Sequence, residues 1–104
     1  MIYQLVNSVV VPGKMAEYYD IATKELMPLY PKLGMKLAGS FRPYTGNMNE
    51  IYSIYAWDNL AAFQKTREAQ QTDKDFQKVS VKLNALRVSL TQTLLEPNAW
   101  SPMK

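Results

Sequence analysis

Neither cysteine nor histidine occurs anywhere in these 104 residues. Without cysteine there are no disulfides, thiol nucleophiles or iron–sulfur ligands, and an intracellular setting is expected. Without histidine there can be no Ser-His-Asp triad, no imidazole-ligated zinc, iron or copper, and no histidine axial ligand to haem. The four glycines, Gly13, Gly34, Gly39 and Gly46, stand apart, so no glycine-rich phosphate loop exists. No apolar run approaches the roughly 20 residues of a membrane helix, and no charged segment followed by an apolar stretch opens the chain. A cytoplasmic protein without membrane insertion is the expectation. Charge of one sign is never concentrated: twelve Lys and Arg against nine Asp and Glu give +3, spread along the chain. That argues for a mixed solvated surface and against a nucleic-acid footprint. Asp73 and Asp75 sit where a helix should begin, so capping accounts for them, and neither a metal nor a cofactor is expected.

Apolar residues make up 47% of the chain, including seven Tyr, three Phe and two Trp, which is enough for one packed domain. Ile2 to Val11 reads as a strand, with Tyr3, Leu5, Val9 and Val11 on one face and Ile2, Val6 and Val10 on the other. Both faces carry apolar groups and both need covering. Pro12-Gly13 turns the chain. Met15, Tyr18, Ala22, Leu26, Leu29 and Leu33 then recur at helical spacing, with Tyr19 widening the stripe and Ile21 off it. Pro28 either ends that helix near Met27 or bends and restarts it. Lys36 to Tyr44 is a second strand, Thr45 to Asn49 a hairpin loop, and Glu50 to Trp57 the third strand. Asp58 is the expected N-cap of a helix from Asn59 to about Gln71, with Leu60 and Phe63 facing inward. Thr72-Asp73-Lys74-Asp75 starts a second helical piece carrying Phe76, Val79, Leu83 and Leu86. Leu90 to Glu96 is the last strand, stopped by Pro97.

The order β-α-β-β-α-β predicts an α+β, ferredoxin-like fold, a four-stranded antiparallel sheet with helices on one face. The domain is expected to span residues 1–97, with 98–104 a short tail. The other sheet face is too apolar for water, so a homodimer or higher homo-oligomer stacked sheet on sheet is expected, with Tyr52 and Ile54 in the interface.

Ile2-Tyr3-x-Leu5, Val11-Pro12-Gly13-Lys14, Leu37-Ala38-Gly39, and Asn49-Glu50 leading to Trp57-x-Asn59-Leu60 together resemble a NIPSNAP-like domain. The resemblance covers nearly the whole chain and implies membership of the dimeric α/β-barrel superfamily. Relatives sharing that barrel include cofactor-independent monooxygenases, isomerases and haem-degrading enzymes. Two departures stand out. Such domains often carry a histidine in the third strand, where this chain has Ser53 or its neighbours. They often have an arginine early in the next helix, where this chain offers Phe63 and only later Arg67.

For function, a small-molecule-binding or assembly module acting as a homodimer is the leading expectation, with the space between helices and sheet filled and dry. The alternative is a cofactor-independent monooxygenase or isomerase acting on a small aromatic substrate in a cleft of roughly 300 Å³ or more. Tyr55 and Trp57 would stack a flat ligand there, and Asn7, Arg42 and Tyr44 would complete the pocket. A tyrosine or a water would handle the proton.

Overall fold

The structure, a computed structural model, describes residues 1–104. Strand β1 (Ile2–Val10) lies between β3 (Glu50–Trp57) and β4 (Arg87–Leu95), and β2 (Lys36–Phe41) pairs with β3 on its far side. Every pairing is antiparallel, giving the order β2-β3-β1-β4 of a ferredoxin-like α+β domain. The helices cover one face only. Parity decides which side chains meet them: Gln4, Ser8 and Val10 of β1 and Ile51, Tyr55 and Trp57 of β3 are buried on the helical side.

The first crossover is not one regular helix. Helix α1 (Met15–Ile21) runs into a π-helical turn at Ala22–Leu26, a 3₁₀ turn at Met27–Leu29 and a short helix α2 (Tyr30–Leu33). The wider turn inserts a residue into the period, so the buried face slips. Ile21 lies before that turn, three residues after Tyr18 in α1, and packs beside it on the core formed by Val10, Tyr18, Ile51, Val79, Leu83 and Leu86. The slip turns Tyr30 inward, a residue that the simple three-four spacing passes over. Pro28 and Pro31 occupy first-turn positions, where a missing N–H costs nothing. Gly34 closes α2 at φ 70°, and Met35 N–H returns to the Tyr30 carbonyl at 2.9 Å.

Helix α3 (Leu60–Thr72) is capped by Asn59 rather than Asp58, since the Asn59 side chain accepts from Ala62 N–H at 2.8 Å. Asp58 instead faces Lys36 at 4.0 Å, and Leu60 is exposed rather than inward. Asp73, in extended conformation, ends α3 and caps α4 (Lys74–Asn84), accepting from Phe76 N–H at 2.8 Å. Its other oxygen meets Lys32 Nζ at 2.7 Å, which ties the interhelical corner to α2.

Strand β2 stops at Phe41 rather than Tyr44, because Pro43 has no N–H to give a ladder. Strand β4 begins three residues earlier than its apolar pattern, at Arg87, through pairing with Val10. On the sheet face turned from the helices lie Tyr3, Leu5, Asn7 and Val9 of β1, with Glu50, Tyr52, Ile54 and Ala56 opposite them on β3. The last residues turn back toward this face, where Tyr3 donates to the Lys104 carbonyl at 3.1 Å. No helix is long and apolar enough to cross a membrane.

Candidate functional site

The space between sheet and helices is not filled. A cavity of about 300 Å³ lies between α3, α4 and strands β1, β3 and β4, where a filled space was expected. Its buried floor is Gln4 from β1, Tyr55 and Trp57 from β3, Phe63 and Thr66 from α3, and Leu83 from α4. Its exposed rim includes Arg67 and Gln71 of α3, Gln77 and Asn84 of α4, and Leu90 and Gln92 of β4. Edge strand β4 is almost uncovered along its length, so the cavity opens along that side.

Ring contacts and hydrogen bonds tie the floor together. Tyr55 meets Tyr30 edge to face at 5.6 Å, and their hydroxyls are 2.7 Å apart. Trp57 packs edge to face on Phe63 at 5.5 Å. The Trp57 indole N–H donates to Gln4 Oε1 at 3.2 Å, and Gln4 Nε2 donates to Gln92 Oε1 at 2.6 Å. This relay orients both amides and leaves the Gln92 N–H₂ without a protein partner. Thr66 donates to the Leu33 carbonyl at 2.8 Å, which pins α3 against α2. Every buried side-chain polar atom has a partner, as burial requires.

Two guanidiniums line this space. Arg87 donates from Nε to the Tyr18 hydroxyl at 3.0 Å and from Nη1 to Asn84 Oδ1 at 2.9 Å, with its carbon 5.6 Å from the Tyr18 ring centre. Arg67 lies 5.7 Å over the Phe63 ring and makes no ion pair. No carboxylate lines the cavity. Burial pushes the Tyr55 hydroxyl well above the ordinary tyrosine range, and burial likewise raises Tyr30. Both are therefore neutral hydrogen-bonding groups at physiological pH, not bases. No group of three acidic residues that could hold a metal exists.

Tyr55 and Trp57 come together in the cavity, but the other expected pocket residues lie elsewhere. Asn7 is on the opposite sheet face, across from Tyr52. The Tyr52 hydroxyl donates there to Glu50 at 3.2 Å, which raises its pKa. Arg42 borders a separate shallow depression with Tyr19, Asp20 and Phe41. Tyr44 is fully exposed in the β2–β3 loop. Tyr52 and Ile54 do share the uncovered face, beside Leu5 and Asn7. Sequence reasoning missed Tyr30, Thr66 and Gln92 as parts of the site or its support. The signal for Gln4 was present, as an amide inside an apolar strand, but it pointed equally to Asn7.

A four-stranded antiparallel sheet of this order, with one helical layer and a cleft beneath it, defines the ferredoxin-like α+β class shared by the dimeric α/β-barrel proteins. The sequence model of the NIPSNAP family matches residues 3–102, and the chain belongs to that family. No curated protein matches the chain in sequence. Among solved structures, an uncharacterised NIPSNAP domain protein from Burkholderia xenovorans is 20% identical, with a TM-score of 0.89 over 98% of this chain and 99% of its own. A NIPSNAP family protein from Agrobacterium tumefaciens is 24% identical, with a TM-score of 0.90 over 99% and 98%. A putative antibiotic biosynthesis monooxygenase from Nitrosomonas europaea shares the fold at a TM-score of 0.72 with 7% identity, over 93% and 98%. At such identities these likenesses concern the fold alone.

Proposed function

We propose that this NIPSNAP protein works as a homodimer that binds a small organic molecule in the cleft between its sheet and α3–α4. The cleft itself carries the reading. Its volume falls at the small end of ligand sites, and its floor joins flat aromatic surface to a few fixed polar groups. A ring would lie against Tyr55 and Trp57, with the Gln4–Gln92 relay and the tyrosine hydroxyl offering hydrogen bonds. The dimer is supported by the sheet face that no helix covers, where Leu5, Tyr52 and Ile54 lie side by side with Phe41 and Leu95 still exposed. Stacking two such faces removes this apolar area from water.

The cavity's chemistry favours binding over proton abstraction. Neither imidazole nor carboxylate lines it, and its one tyrosine, Tyr55, is kept neutral, burial raising its pKa further. Saturation-transfer NMR with 2-naphthamide, a flat neutral probe, tests the site. Signal is expected with the wild-type chain and not with Ser80→Phe, which puts a ring into the space from α4. Equal signal from both would remove the cavity as the binding site.

A further inference from the structure

Resting on that reading, we infer that the natural ligand of the cleft is an organic anion: a carboxylate carried on a flat or short apolar body, received by Arg87 and Arg67. All six ion pairs of the protein use lysine as the cation. The two arginines of the cleft are thus left without a counter-charge, although nine acidic residues are present in the chain. None of the nine lines the cavity, so its walls carry two positive charges and no negative one.

The two differ in how they are held. Arg87 is fixed from two sides, since Nε and Nη1 are taken by Tyr18 and Asn84. Its Nη2 has no protein partner, so a planar donor edge stays in a set orientation. Arg67 is exposed, has no hydrogen bond, and holds its guanidinium carbon 5.7 Å from the centre of the Phe63 ring, which in turn packs on Trp57. It can therefore follow a ligand oxygen at the mouth while the ligand body lies on Trp57. Gln92 adds an amide N–H₂ on the same wall. A half-closed cleft screens charge less than open water does, so the uncompensated pair favours an anion and repels an amine.

The test compares 2-naphthoate with 2-naphthamide, which has the same shape without the charge, by calorimetric titration of the whole protein. Naphthoate should bind about tenfold more tightly than naphthamide. Arg87→Gln and Arg67→Gln should each shrink that ratio severalfold, because each weakens naphthoate more than naphthamide, with circular dichroism confirming the fold. Arg67→Gln removes no internal hydrogen bond, so it keeps the test valid should Arg87→Gln unfold the chain. Equal affinity for the two probes would overturn the anion assignment and leave the ligand cleft standing. A preference for naphthoate that survives both substitutions would place the anion elsewhere and also overturn it. Binding of neither probe would remove the ligand cleft together with the anion.

Discussion

Tyr30 and Tyr55 share one hydrogen bond, 2.7 Å between hydroxyl oxygens, with their rings edge to face behind the cavity. Each hydroxyl is the other's buried partner, so removing one strands its mate. Tyr30→Phe and Tyr55→Phe should each cost about 1–3 kcal/mol, and the double variant should lose little more than either single one. Urea denaturation of the four proteins reads this cycle, and strict additivity would contradict the pairing.

The same pair sets an alkaline limit. Burial raises both hydroxyls in the folded chain above the unfolded tyrosine value near ~10. Their contribution to stability is complete below that pH and is lost as pH climbs toward the folded values. Tm should therefore drop above about pH 10, and drop less in the double Phe variant. Parallel Tm profiles for the two proteins would contradict this.

Asp73 works twice, capping α4 and pairing with Lys32. Both interactions hold its carboxyl below the usual range, Lys32 being the larger cause. Its contribution is present above the ordinary carboxylate pKa and is lost as pH falls through the depressed value. At neutral pH, Tm should rank wild type, Asp73→Asn, then Asp73→Ala, because asparagine keeps the cap but not the charge. Acidification should close the gap between wild type and Asp73→Asn. A gap that persists at low pH would point away from the ion pair.

Ile54→Asp and Tyr52→Asp each place a charge on the uncovered sheet face. Both should convert a dimer to a monomer in light scattering, with the helical content unchanged. Unaltered mass in both variants would remove this face as the interface.

Trp57→Phe keeps a ring against Phe63 but ends the hydrogen bond to Gln4, so naphthamide should bind several times more weakly. Arg42→Ala, at its separate depression, should bind as the wild type does. Titration of both variants checks the assignment, and weakening only in Arg42→Ala would reverse it.

The fold was legible wherever local pattern and global burial agree. Strand β3 starts and ends where its Glu50–Trp57 run does. Helix α4 places Val79 and Leu83 inside, as their spacing predicts. The site was less legible because its determinants are relational. Strand β1 has apolar groups on both faces, so parity alone could not say whether Gln4 or Asn7 looks at the helices. That choice is made by the Gln4–Tyr55 register and the hydrogen bond from Trp57. Tyr30 was hidden by the π-helical turn, which breaks the spacing before it. Arg87 belongs to β4 only through pairing with Val10, a contact between distant segments.

The most direct test of a ligand cleft beneath the sheet uses the two tryptophans as reporters. Trp57 is buried on the cavity floor and Trp100 is 82% exposed on the tail, so a ¹⁵N-labelled sample gives two separate indole N–H signals. Titrating in 2-naphthamide, the probe that needs no charge, should move the Trp57 signal progressively and leave Trp100 in place. Movement of Trp100 alone, or of neither, would contradict the account.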